Sequence, residues 1–66
     1  MEIGKRIREL REEKGINQKQ LAQEIGVAQS AVSQWESQTN EPKASYVKSL
    51  ADYFDVSADY LLGREE

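Results

Sequence analysis

Between Gln18 and Glu36 the chain sets amide and hydroxyl side chains (Gln18, Gln20, Gln23, Gln29, Ser30, Ser33, Gln34) among small and apolar ones (Leu21, Ala22, Ile25, Val27, Ala31, Val32, Trp35). Groups of the first kind hold other molecules more readily than they transform them. An amide donates and accepts hydrogen bonds at once, and a hydroxyl does either. The rest of the composition points the same way. Histidine and cysteine are both absent, which removes the usual general base, the commonest metal ligand, the thiolate nucleophile and any disulfide. Carboxylates remain for catalysis, but 66 residues leave little room for a substrate-sized pocket. The expectation is a binding protein, not an enzyme, with no cofactor and no metal.

The apolar members of the same segment say how those polar groups must be carried. Leu21, Ala22 and Ile25 share one helical face, and so do Ala31, Val32 and Trp35. Two helices this close in sequence must meet at a steep angle across a turn of three or four residues. The first then needs a small residue where the second crosses it, and Ala22 is there. The turn needs a left-handed residue, which Gly26 supplies without a Cβ penalty. Leu21, Ile25, Val27, Val32 and Trp35 are expected to point to a common core.

Flanking elements complete the unit. Ile3, Ile7 and Leu10 form the stripe of a first helix that ends near Lys14-Gly15. Asn17 is an N-cap for the second, with Gln20 in the capping-box position. The third opens at Val27 or Ala28 and runs to about Glu36. Residues 37–43 are polar and read as a loop. Val47, Leu50, Ala51 and Phe54 mark a fourth helix, and Ser57 caps a short fifth with Tyr60, Leu61 and Leu62 as its apolar body. Sustained period-two runs of β-branched residues are missing. Fold class: all-α, a compact five-helix bundle containing a helix-turn-helix, with residues 1–66 as one domain.

Net charge is −3, which at first sight argues against a polyanionic partner. The distribution softens the objection and leaves the charge balance neutral on that question. Residues 1–20 hold more basic than acidic side chains, whereas residues 51–66 hold Arg64 alone against Asp52, Asp55, Asp59, Glu65 and Glu66. The roughly 18-residue apolar run of a membrane span is absent. So is the apolar stretch of a signal peptide behind Met1. A cytoplasmic protein is expected.

Four segments together resemble the Cro- and lambda-repressor-like (Xre-type) helix-turn-helix proteins. They are the opening helix from Ile3 to Gly15, the Asn17-Gln18-x-x-Leu21-Ala22 start of the second, Val32-Ser-Gln-Trp35-Glu36 at the end of the third, and the closing Asp55-Val56-Ser57-Ala-Asp59-Tyr60-Leu61-Leu62. The resemblance runs from Ile3 to Gly63 and implies a lambda-repressor-like DNA-binding domain. Its third helix would lie in the major groove of double-stranded DNA. Gln29, Ser30 and Gln34 fall at the family's base-reading positions, with Ser33 close by. Gln suits the task, since its amide pairs with adenine N6 and N7 together. Asn17, Gln18 and Lys43 match phosphate-contacting positions, and Arg11 and Glu36 match an ion pair tying the first helix to the third.

The implied function is a sequence-specific transcriptional regulator, usually a repressor, on a palindromic operator as a homodimer. Two departures bear on it. The third helix has no Arg or Lys between residues 28 and 36, and the loop at residues 37–41 is less basic than in many relatives. The alternative is an antitoxin-like or adaptor module that uses the same fold to bind a protein.

Ordinary structural roles compete for several of these residues. Trp35 is read as a core anchor, and Arg8 and Lys14 as members of i,i+4 pairs such as Arg8–Glu12. Tyr46 and Tyr53 are half-buried or interfacial. Phe54 and Leu61 suffice for the core near the C-terminus. That leaves Tyr60 or Leu62 without an internal partner, and both are expected at a dimer interface.

Overall fold

The computed structural model describes residues 2–64; Met1 lies outside them, as do Glu65 and Glu66 of the acidic C-terminal end. Five helices follow one another without a strand among the described residues: α1 (Glu2–Lys14), α2 (Gln18–Ile25), α3 (Gln29–Glu36), α4 (Ala44–Phe54) and α5 (Ala58–Leu61). This is the all-α, five-helix architecture expected from the sequence.

Local chemistry sets most of the boundaries. Asn17 and Gln20 make the reciprocal capping box: Gln20 N–H donates to Asn17 Oδ1 and Asn17 N–H donates to Gln20 Oε1, both at 2.8 Å. Gly26 ends α2 at φ 84°, donating its N–H to the Ala22 carbonyl at 2.8 Å, and Val27 donates to the same oxygen at 3.0 Å. Ser57 Oγ accepts from Tyr60 N–H at 2.9 Å to start α5. The start of α3 differs from expectation. Ala28 has ψ 150° and is the N-cap of α3, so Gln29 is its first helical residue and Val27 belongs to the turn.

The core gathers around Ile7, Leu21, Val32, Leu50 and Leu61, which are fully buried, and it draws on all five helices. Helix α3 packs on α1 and α2, α4 on α2 and α5, and α5 returns to α1. Trp35 is buried, as a core anchor should be, with its ring centroid 5.7 Å from that of Tyr46. Ile25, Val27 and Phe54 are only partly buried against this core. Phe54 stands edge-on to Tyr53 at 5.1 Å.

The sequence did not announce how closely α1 and α3 approach each other at Gly4. A Cβ on Gly4 would run into the Trp35 carbonyl oxygen. Glycine is needed here for space, within a helix where its backbone freedom is a disadvantage.

Three expectations at the surface are corrected. Tyr60 does have a partner in its own chain: the Arg6 guanidinium lies 4.4 Å from its ring centroid, in reach of a cation–π contact. Lys14 makes no i,i+4 pair but stands 5.0 Å over the Tyr53 ring. Leu62, placed in the body of the last helix from sequence, is its exposed C-cap. The Arg8–Glu12 pair is present at 3.4 Å. Among the described residues, no helix is long and apolar enough to cross a membrane.

Candidate nucleic-acid interface

Helix α3 is two-faced. Val32 and Trp35 are buried, while Gln29, Ser30, Ser33 and Gln34 are all exposed. The side chains of Gln29, Ser30 and Ser33 make no hydrogen bond to another described residue, so their donors and acceptors face solvent. Such a helix, anchored on one side by an indole and a valine, presents a fixed row of amides and hydroxyls on the other.

Gln34 is tied more closely. Asn40 Nδ2 donates to Gln34 Oε1 at 2.8 Å. The same loop folds back on the Gln34 carbonyl, which accepts from Thr39 N–H at 3.0 Å, Asn40 N–H at 3.4 Å and Ser37 Oγ at 3.2 Å. Gln38 makes the required turn at φ 66°. Asn40 was not singled out from sequence. Nothing in its spacing marks it, because the contact depends on a left-handed turn that a glutamine seldom adopts.

The start of α2 adjoins α3 through a charged cluster. Arg11 donates from Nε to Glu36 Oε2 at 2.7 Å, from Nη2 to Glu36 Oε1 at 3.0 Å and from Nη1 to the Ile16 carbonyl at 2.9 Å. The bidentate hydrogen bonds to Glu36 raise the Arg11 pKa, with the neighbouring Glu12 charge adding to them against desolvation. Gln18 Nε2 joins the cluster, donating to Glu36 Oε1 at 3.1 Å. Of the two residues expected at phosphates here, Asn17 spends its oxygen on the cap and keeps its amide N–H groups, and Gln18 keeps one N–H. Lys43 is exposed as the N-cap of α4, and Pro42 beside it is buried, which pins that end of the loop.

Among the described residues no group of three or more His, Cys, Asp or Glu side chains could hold a metal ion. An open groove is lined by Leu10, Glu13, Lys14 and Phe54, none of them on α3.

An exposed polar helix set across a glycine turn from a capped partner, both locked to a five-helix core, defines the helix-turn-helix class of protein. Residues 7–61 match the model of the helix-turn-helix family, and the chain belongs to that family. It superposes on the P22 c2 repressor, crystallised in complex with a synthetic operator, with a TM-score of 0.91 and 35% identity, covering 98% of each chain. The match to the biofilm regulator SinR, solved in complex with DNA, has a TM-score of 0.83 and 36% identity, over 91% of this chain and 97% of that one. The transcriptional regulator ImmR of Bacillus subtilis is 33% identical along the whole of this chain, which spans 52% of its length. Repressor protein C2 of Salmonella phage P22 is 38% identical over 60 residues, 28% of its length. The chain thus spans about half or less of these curated relatives.

Proposed function

We propose that residues 1–66 act as one DNA-binding domain of a transcriptional regulator, a repressor like the phage P22 protein it is similar to, working in the cytoplasm and having no catalytic role. The observation that carries this reading is the exposed row Gln29, Ser30, Ser33 and Gln34 on a helix whose other face is locked into the core. Likeness to a repressor solved on a synthetic operator and to a regulator solved on DNA supports it.

In this reading α3 enters the major groove and its first turn meets the base edges. Gln29, Ser30, Ser33 and Gln34 read bases through amide and hydroxyl groups. Asn17, Gln18 and Lys43 hold the phosphates on either side. Arg11 and Glu36 keep α3 at a fixed angle to α1. One short helix reads only a few base pairs, so selective binding uses two copies on a palindromic operator, with half-sites about one helical turn or 34 Å apart. The pairing surface lies at the C-terminal end, where Leu62 is exposed and Tyr60 half-buried.

The test is selection from a random-sequence double-stranded DNA library, followed by a salt titration of the selected duplex. Enrichment of a palindrome, with affinity falling as salt rises, is the expected result. A second reading, a module that binds a protein partner, is favoured by the net charge of −3 and by an α3 without Arg or Lys. It takes over if no sequence is enriched.

A further inference from the structure

We propose that Asn40 determines the base preference of Gln34 by fixing which end of its amide is presented; this rests on the reading of α3 as the base-contacting helix. A glutamine free to turn pairs with adenine, its Oε1 accepting from N6–H while Nε2 donates to N7. Here Asn40 Nδ2 already donates to Oε1 at 2.8 Å. Asn40 engages one lone pair of the oxygen and so holds Oε1 on its own side, which turns the Nε2 hydrogen trans to the oxygen toward the opposite side. Gln34 therefore meets the groove as a donor.

An exposed amide pair would ordinarily be too costly in side-chain entropy to persist. The backbone has met much of that cost here. Thr39 and Asn40 both donate N–H to the Gln34 carbonyl, at 3.0 and 3.4 Å, and Ser37 Oγ adds a third bond at 3.2 Å. Ser37 Oγ also pairs with Thr39 Oγ1 at 2.9 Å, and buried Pro42 holds the far end of the loop. The Asn40 side chain is thus held beside the side chain it orients, and pre-organised contacts of this kind carry specificity at small further cost.

The consequence concerns base type. In the major groove guanine offers two acceptors, O6 and N7, whereas adenine and cytosine each expose an amino donor. Guanine is usually read by Arg or Lys, and α3 has neither. A Gln34 locked as donor supplies that function, so the base pair facing it is selected for guanine over adenine. Asn40 is a positioning residue: it touches Gln34, and Gln34 touches the base.

The experiment is selection from a random-sequence duplex library with four proteins: the parent, Gln34→Ala, Asn40→Ala and Asn40→Asp. Gln34→Ala identifies the position that residue reads. Asn40→Ala releases the amide and lets adenine gain there. Asn40→Asp is the sharper variant, because a carboxylate only accepts. Gln34 must then turn Nε2 toward it and present Oε1, reversing the preference to a base with an amino donor. The expected shift in relative preference is on the order of tenfold at that one position, the scale of a single good base contact. The added negative charge weakens binding to all sequences alike and leaves the other positions unchanged. Thermal melting checks that each variant is folded. A parent motif with an unchanged preference at the Gln34 position in both Asn40 variants overturns the inference and leaves the DNA reading standing. A Gln34→Ala variant that selects the parent motif also overturns it. A parent that enriches nothing removes the DNA reading itself, and the inference with it.

Discussion

Arg11 and Glu36, 25 residues apart in the chain, meet through two hydrogen bonds of 2.7 and 3.0 Å, with side chains only 13% and 5% exposed. A pair this well enclosed acts less as glue than as a constraint. Removing either partner strands the other charge away from water. We expect Arg11→Ala and Glu36→Ala each to cost about 3 kcal/mol, near the low end for a broken buried pair. The corresponding fall in melting temperature is on the order of 10 °C or more for a chain of this size. Arg11→Lys should recover little, since an ammonium cannot reproduce the fork that meets both Glu36 oxygens and the Ile16 carbonyl. Melting curves unchanged in all three variants would show that the pair has no structural role.

Gly4→Ala gives an opposite lesson to helix propensity. In an isolated helix the change stabilises by about 1 kcal/mol. In this protein the new methyl group meets the Trp35 carbonyl oxygen, a backbone atom that cannot swing aside. We expect net destabilisation of about 1–3 kcal/mol from the forced separation of α1 and α3. Urea denaturation measures it, and a midpoint equal to or above that of the parent would mean that the two helices separate without cost.

Reading and holding separate by mutation. Gln29→Ala should cost roughly 1–3 kcal/mol on the selected sequence and relax the preference at one base pair. Lys43→Ala should weaken binding to every sequence alike and lower the salt slope by about one unit. Titrations on selected and random duplexes over a range of salt distinguish the two. Matching losses on both DNAs for both variants would contradict this division of roles.

Assembly is tested at Leu62, the large apolar side chain left exposed among the described residues, at 39%. Leu62→Glu should leave the fold intact and bind a half-site as the parent does. It should lose cooperativity on the full palindrome. Parent-like cooperativity in that variant would move the pairing surface elsewhere.

The same chain holds features that its sequence determines alone and features that only packing decides, and the difference is the distance over which each is settled. The Asn17–Gln20 capping box, the left-handed stop at Gly26 and the Ser57 cap were legible because each is completed within four residues by backbone geometry. The inward faces of α1 to α4 were legible because helical periodicity reports burial directly. The Arg11–Glu36 pair could be anticipated only through resemblance to a family, since no spacing rule connects residues 25 apart. Other features needed the tertiary structure. Gly4 reads as a poor helix residue until α3 lies across it. Tyr60 reads as unpartnered until α5 comes back over α1 and places it beneath Arg6. Gln18 and Gln34 look alike as exposed amides. Yet one is turned toward Glu36 and the other held by Asn40, because the directions of two helices and one left-handed loop residue decide which polar groups face each other.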